Sequence, residues 1–510
     1  MIRLGLVVNP VAGLGGRVGL GGSDGRDTQC RALTLGAVPH AGERATAALR
    51  ELTARGGEFE LLTASGAMGD EAARGAGLRS RVVDRAVPAP VRVWRPGGTG
   101  ASDTVAAVRA LAAHGVDLLL FAGGDGTARD VLTALGEGST QPVLGIPTGV
   151  KMHSAVFAVN PRAAGEVAAA WLAPHGRPEL RGAEVMDRDE EQLRKGRLSS
   201  RLYGWLPVPY VPVRVQQRKA GSTAASPEAV GGMAAELASR LSPEDLLILG
   251  PGTTTRMVAA ALGADTPLTG VSALARVGAS ALTCAEVSAL ARADASALTC
   301  ADASALTCAG VSALARVDAA GLSGRVGGCG VVGCPGSAAR AAGPETGPGP
   351  GSGSGSRAGS CGCGVAGRAV PRAPGVFPAA SSLLRSPRGR RDHSSAATGR
   401  TTPSYRPVAT HLDSAALLAL AHRHPLVIAL SPIGGQGFLL GRGNQQISPE
   451  LLRAVGPDKL LVLATEAKLA ALHGRPLLVD TGDDDLDAAL AGYVTVLTGR
   501  GRTALYRLTH

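Results

Sequence analysis

Aromatic residues and long apolar runs are both scarce in this chain of 510 residues. Trp, Tyr and Phe together make up 3 % of the residues, whereas 72 residues are Gly. This composition suggests a GC-rich coding sequence as much as any physical demand. No apolar run reaches the roughly 18 residues of a membrane-spanning helix, and no charged-then-apolar leader opens the sequence. We therefore expect neither a membrane span nor a secretory signal, and a cytoplasmic location.

Cysteine pairs at metal-binding spacing are also missing. Seven of the eight cysteines lie between residues 268 and 411, and none forms a Cys-x-x-Cys pair, which argues against a zinc site or a disulfide framework. The same interval holds 14 Arg, no Lys and six acidic residues, so it carries most of the formal net charge of +11. The rest of the chain is only weakly basic, as is ordinary for an enzyme that handles anions. We expect no nucleic-acid or membrane partner, although the run RSPRGRR (385–391) leaves that alternative open.

The most informative stretch is VDLLLFAGGDGTARDVL, residues 116–132. Its apolar first half predicts a strand buried on both faces of a parallel sheet, and ARDVLTAL then takes up helical spacing. Between them lies a glycine turn of the kind that brings backbone N–H groups and a helix N-terminus to phosphate oxygens. Asp125 stands inside this turn. A carboxylate beside a phosphate is repulsive unless it holds a metal or accepts the proton of an attacking hydroxyl, but it could also merely cap the helix.

FAGGDGTARDV resembles the signature of the NAD kinase and diacylglycerol kinase superfamily, and GIPTGVKMHSAVFAVNP (145–161) is similar to an ATP-NAD kinase-like branch that includes acetoin catabolism protein X. The resemblance covers about residues 1–267 and 412–510. It implies a kinase that uses ATP and Mg²⁺ to phosphorylate a small-molecule hydroxyl, with the 2′-hydroxyl of NAD as acceptor, and we expect a homo-oligomer. One departure from the family pattern is a missing Asn-Glu pair. Typical NAD kinases carry this pair after the glycine turn, whereas Asn160 is followed here by Pro161.

The candidate site has two parts. Asp125 is the candidate general base, and no protein metal site is predicted. The candidate nucleotide-binding residues are those of three turns: Asn9, Gly123, Gly124, Gly126, Thr127, Thr148, Gly149 and Lys151. Glycine turns also follow strands in many α/β folds with no ligand. His153 beside them could be a ligand or a base, although a lone histidine is more often structural.

A second polar block, SPIGGQGFLLGRGNQQISPELL (431–452), follows a predicted strand. Its density of amides suits recognition of a polar ligand such as a nucleotide, sugar or polyol. The candidate substrate-binding residues are Gly434, Gly435, Gln436, Arg442 and Asn444. A structural network of turns is the alternative.

These patterns predict an α/β protein with an N-terminal Rossmann-like parallel-sheet domain (1–150) and a β-rich C-terminal domain of NAD kinase-like type. The C-terminal domain is predicted in two parts, 151–267 and 412–510, the second with a tail returning to the first domain. Between them, 268–411 is predicted as a disordered insertion. It begins with an octad repeat (VSALARVG, ASALTCAE and so on) whose Ala and Leu content permits transient helix, and it continues as Gly, Ser, Pro and Arg without apolar periodicity.

Two functions remain open at this stage. One is the NAD kinase-like phosphotransferase, acting on NAD or on another alcohol, for example one linked to acetoin breakdown. The other is a nucleotide-binding regulatory protein that has lost turnover, which the missing Asn-Glu pair and the interrupted C-terminal domain favour. The intact Gly-Gly-Asp-Gly-Thr turn opposes that second hypothesis.

Overall fold

The structure is a computed structural model that describes residues 1–20, 22–23, 25–84, 98–150, 152–174, 176–188, 200–216, 226–278 and 403–510. All of these described residues belong to one compact unit. Lys151 and most of the predicted insertion, residues 279–402, lie outside the described residues.

The N-terminal domain is a five-stranded parallel sheet in the order β3-β2-β1-β4-β5. Its strands are β1 (Ile2–Val8), β2 (Phe59–Ala64), β3 (Arg81–Asp84), β4 (Leu118–Gly123) and β5 (Val143–Pro147). Its helices are α1 (Arg26–Thr34), α2 (Ala41–Ala54), α3 (Asp70–Gly75), α4 (Ala101–Ala113), α5 (Asp125–Leu135) and α6 (Pro161–Leu172). All six residues of β4 are buried, which confirms the strand predicted from the apolar run.

The strand order reverses between β1 and β4. From β1 the chain builds outward through β2 and β3, and it then crosses back to place β4 on the other side of β1. In open α/β sheets, ligands bind outside the carboxyl ends of the strands at such a reversal. Asn9 follows β1 and the Gly-Gly-Asp-Gly-Thr turn follows β4, so both lie at this position.

The C-terminal domain contains an eight-stranded mixed sheet in the order β10-β9-β8-β11-β12-β14-β15-β13. A separate antiparallel pair, β6 (Leu180–Arg188) and β7 (Ser200–Pro209), packs its buried residues into the apolar core of the N-terminal sheet. The strands of the large sheet are β8 (Leu246–Leu249), β9 (Val271–Arg276), β10 (Tyr405–Leu412), β11 (Leu426–Leu430), β12 (Leu460–Leu463), β13 (Leu477–Leu478), β14 (Gly492–Gly499) and β15 (Arg502–Thr509). Its helices are α7 (Pro227–Ser239), α8 (Thr253–Ala261), α9 (Ser414–Ala421), α10 (Pro449–Val455), α11 (Glu466–Ala470) and α12 (Asp484–Leu490). The predicted two-domain α/β architecture, a parallel-sheet domain followed by a domain built on a β-sheet, is confirmed.

The first octad of the repeat is a strand. VSALAR forms β9, which is paired on one side with β8 and on the other with β10. The sequence predicted a disordered insertion from residue 268 onward, with transient helix permitted, whereas residues 271–276 form a strand of this sheet. Val271, Ala273 and Ala275 pack into one apolar cluster and Leu274 into another, because alternate side chains of a strand point to opposite faces of the sheet. The predicted domain boundaries at 267 and 412 stay a prediction, with β9 and most of β10 inside the interval that they enclose.

The loop after β11 packs against the N-terminal domain. Phe438 and Leu478 belong to the apolar core of the N-terminal sheet, although both come from the last part of the chain. The Gly443 N–H donates to the carbonyl of Val150 over 2.7 Å. The polar block at 431–452 is therefore held against the residues that follow β5.

A mid-helix glycine in α6 tests the packing beneath the site. A Cβ built on Gly165 would lie 2.4 Å from the carbonyl oxygen of Ala48 in α2, so the two helices must move apart to admit it. We expect Gly165→Ala to lower the free energy of unfolding by about 1–3 kcal/mol, as overpacking does. Gly231→Ala in α7 is the matched control, because its Cβ would meet open space and should raise stability by about 0.5–1 kcal/mol. Chemical denaturation measures both; equal effects would contradict this packing.

Candidate functional site

Asn9 and the glycine turn are joined by a direct hydrogen bond. The Asn9 amide donates from Nδ2 to Thr127 Oγ1 over 2.9 Å, and the Asn9 backbone N–H donates to the Ala122 carbonyl. The bond links residues 118 positions apart in the chain. It fixes the loop after β1 against the first turn of α5.

The glycines of the turn allow close backbone approach. A Cβ on Gly123 would lie 2.3 Å from the Cβ of Thr127. Gly124 faces Gly149 so closely that a Cβ on Gly149 would lie 2.8 Å from the Gly124 Cα. A Cβ on Gly126 would meet open space, so that position leaves room beside the N-terminus of α5.

Asp125 does not cap α5. Its carboxylate crosses instead to the loop after β5, where Oδ2 accepts from the His153 N–H over 2.7 Å. Oδ1 accepts from the Ser154 N–H over 3.0 Å and lies 2.7 Å from Ser154 Oγ. The residue is only 5 % exposed. The capping alternative considered from the sequence therefore does not describe its contacts.

Burial raises the pKa of Asp125 to about 7, because desolvation disfavours the charged carboxylate. The hydrogen bonds from Ser154 and His153 oppose this shift, and the nearby charge of Asp187 adds to it. A carboxyl with a pKa near 7 can both accept and release a proton at neutral pH, which is the property that general-base chemistry needs.

The loop after β5 closes over the turn. The backbone N–H groups of Thr148 and Gly149 both donate to the Gly123 carbonyl, over 2.9 and 3.2 Å. Thr148 Oγ1 is buried and has no hydrogen-bond partner among the described residues. The His153 ring lies beside Asp125, with 3.7 Å between Nδ1 and Oδ2. Thr148, Gly149 and His153 are thus brought to Asp125.

The predicted substrate-binding block lies against the same loop. Gln436 Nε2 donates to the Met152 carbonyl over 3.1 Å, and Gly435, with a φ of 77°, accepts at its carbonyl from Arg475. The Asn444 side chain accepts from the Gly441 N–H and donates to the Leu439 carbonyl. These bonds within the protein fit the structural network that the sequence left open as an alternative. Ligand contacts by Gly434, Gly435, Gln436 and Asn444 stay a prediction.

Arg442 is a buried cation at the junction of the domains. It donates to the Val159 carbonyl over 3.0 Å, lies over the Phe438 ring with 4.7 Å to its centroid, and contacts the Asp480 carboxylate at 3.2 Å. Burial lowers its pKa to about 10, a shift that the charge of Asp480 opposes, so the guanidinium remains protonated at neutral pH. The ion pair with Asp480 offsets part of the free-energy cost of burying the guanidinium charge.

Sequence reasoning missed three residues of this region. Ser154 donates a hydrogen bond to Asp125. Arg44 in α2 donates to the Asp480 carboxylate over 2.6 Å, and Asp480 also forms an ion pair with Arg442. Arg44 and Asp480 are 436 positions apart, so no local spacing could have paired them. Ser154 lay inside the quoted motif and could have been proposed as a hydrogen-bond partner for a buried acid.

Comparison with protein-family models decides the family. Residues 4–176 match the ATP-NAD kinase N-terminal domain and residues 385–508 match the ATP-NAD kinase C-terminal domain, which together are more than half of the chain. The chain belongs to the NAD kinase-like family. The matches imply an ATP-dependent phosphotransferase of NAD kinase type. No curated protein and no solved structure gives a significant match.

Two further observations bear on this NAD kinase-like protein. Within the described part of the chain, no helix is long and apolar enough to cross a membrane. Nor do the described residues contain a group of three or more His, Cys, Asp or Glu side chains able to hold a metal ion.

The buried carboxyl of Asp125 predicts a pH-dependent stability. Folding raises its pKa from 3.8 to about 7, so the folded chain holds this proton more tightly than the unfolded chain does. The contribution of this proton to the free energy of unfolding is therefore full below a pH of about 4 and is lost as the pH rises to about 7. Across that window the free energy of unfolding of the parent protein should fall relative to Asp125→Asn, by at most about 1.4 kcal/mol per pH unit.

Denaturation curves at successive pH values measure this difference. Asp458→Asn, which removes an exposed carboxylate in the C-terminal domain, is the control for loss of charge. A difference between the parent protein and Asp125→Asn that stays constant from about pH 4 to 7 would contradict the raised pKa.

Proposed function

We propose that this protein transfers the γ-phosphoryl group of ATP to a hydroxyl, with the 2′-hydroxyl of NAD as acceptor and Asp125 as general base. The observation that supports it best is the Asp125 carboxyl itself. It lies in a glycine turn, at the reversal of strand order, with its pKa raised to about 7.

The turn would bind the phosphates and Asp125 would take the proton. Backbone N–H groups at the start of α5 carry no side-chain cap, and together with the helix dipole they favour negative charge. Lys151 is proposed as a point charge for the same phosphates. As the acceptor oxygen attacks the γ-phosphorus, the bond to the β–γ bridging oxygen breaks, ADP leaves, and the hydroxyl proton passes to Asp125.

Asp125 keeps hydrogen-bonding capacity that an acceptor hydroxyl could use. Oδ2 accepts one hydrogen bond, from the His153 N–H, whereas a carboxylate oxygen can accept two. The bonds to residues 153 and 154 would therefore orient the base without using its full capacity. Mg²⁺ would neutralise the phosphate charge when bound.

A nucleotide-binding protein without turnover is the second candidate function. The Asn160 side chain accepts from the Ala163 N–H over 2.7 Å and so caps α6, with Pro161 next in the chain. The amide oxygen of Asn160 is thus used inside the protein, and the Asn-Glu pair of typical NAD kinases has no counterpart there. The same observation also suits a kinase of another alcohol, including one related to acetoin catabolism.

Asp125→Asn separates these functions. We expect it to lower the rate of phosphoryl transfer to NAD at least about a hundredfold, because general bases contribute about 10²–10⁴-fold to the rate. ATP binding should be retained. Asp130→Asn on the same helix is the control for loss of a carboxylate. ADP release and product formation are followed with NAD, NADH and a panel of small alcohols.

Each outcome of that experiment has a clear reading. Turnover in the parent protein that Asp125→Asn abolishes and Asp130→Asn keeps supports the kinase. ATP binding with no turnover on any acceptor supports the regulatory protein. Turnover that survives Asp125→Asn contradicts the role proposed for this carboxylate.

A further inference from the structure

The sequence of strand β9 occurs twice in the chain. GVSALARV spans residues 270–277, where VSALAR forms β9 between β8 and β10, and the same eight residues recur at 310–317, outside the described residues. We propose that either copy of GVSALARV can fill the position between β8 and β10, which we call the β9 slot. The chain would then have two strand registers that differ by forty residues. This inference does not depend on the proposed function.

The β9 slot specifies its side chains on both faces of the sheet. Val271, Ala273 and Ala275 are buried in one apolar cluster, and Leu274 is buried in another. Protein interiors are close-packed, so a replacement strand must bring the same volumes to the same faces. Residues 311–316 have the same sequence in the same order and would fill both clusters identically.

The two ends of the β9 slot are equally specific. Before the strand, Gly270 has a φ of 88°, and a Cβ there would lie 2.7 Å from His411 Nδ1, so this position requires glycine. After the strand, the Val277 N–H donates to the Ser404 carbonyl over 2.8 Å. The copy at 310–317 begins with glycine and ends with valine, so it matches both ends as well as the strand.

The other octads of the repeat do not match the β9 slot in this way. VSALAR occurs once more, at 287–292, but Glu286 precedes it where the slot requires glycine. The ASALTC octads have alanine in place of Val271, which would leave a cavity, and threonine in place of Ala275, which would bury a hydroxyl. Residues 310–317 are therefore the copy that fits.

The connections on both sides of β9 allow the exchange. Use of the second copy would add forty residues to the connection between α8 and the strand, and would remove forty from the connection to β10, which is more than a hundred residues long. Loop-closure entropy grows only with the logarithm of loop length, so this change disfavours the second register by about tenfold. The hydrogen bond from the Gly252 N–H to the Leu268 carbonyl would also be lost, which makes the observed register the more stable one.

Leu274→Asp tests the proposal, because it places a carboxylate in an apolar cluster and so blocks the first copy. If the second copy replaces it, the equilibrium constant for unfolding of the full chain should rise only about ten- to a hundredfold. Leu274→Asp combined with Leu314→Asp blocks both copies and should raise that constant at least about a thousandfold. Leu314→Asp alone should leave it unchanged. Chemical denaturation measures all three variants.

Leu274→Asp combined with Leu290→Asp is the matched control, because Leu290 belongs to the copy that Glu286 precedes. This variant should be as stable as Leu274→Asp alone. Hydrogen exchange measured by mass spectrometry reports the register directly. In Leu274→Asp the backbone amides of residues 311–316 should be protected from exchange, and those of residues 271–276 should exchange rapidly.

Three results would overturn the proposal. The first is a loss of at least about a thousandfold in Leu274→Asp alone, which would mean that no second copy replaces β9. The second is equal stability of the two double variants. The third is protection of residues 311–316 that depends on protein concentration, because the second copy would then fill the β9 slot of another chain.

Discussion

The burial of one carboxylate, Asp125, at the end of a central strand is the constraint on which the rest of the site depends. A buried acid must find hydrogen-bond donors, and here the donors are the backbone of residues 153 and 154 together with the Ser154 hydroxyl. Satisfying Asp125 therefore pulls the loop after β5 across the glycine turn. The Ser154 hydroxyl in turn accepts from the Met186 N–H, which ties β6 to the same point.

A second buried charge organises the junction of the two domains. Arg442 comes from the C-terminal domain and is held by the Val159 carbonyl, the Phe438 ring and the Asp480 carboxylate. Arg44 reaches the same carboxylate from the N-terminal domain. Removing either partner of a buried pair leaves an uncompensated charge, so these contacts restrict how the domains can be arranged even if their net contribution to stability is small.

The sequence predicted the parts of the fold that local patterns encode. An apolar run, a glycine turn and a helical repeat are adjacent in the chain, so β4, Asp125 and α5 could be placed from residues 116–132 alone. The strand VSALAR could not be placed in this way, because it lies between β8 and β10, and β10 is more than a hundred residues further along the chain. The amides of Gln436 and Asn444 suggested a ligand, but only the folded chain shows that backbone carbonyls 152 and 439 take up their donors. Asp480 was overlooked for the same reason, since its partners come from distant segments.

The proposed mechanism depends on Asp125 being a base that titrates near neutral pH, and the pH dependence of phosphoryl transfer from ATP to NAD measures this most directly. At saturating substrates the rate should rise tenfold per pH unit below a pH of about 7 and level off above it. A rate that does not change between about pH 5 and 9, with transfer itself shown not to be limited by product release, would contradict the assignment of Asp125 as the general base.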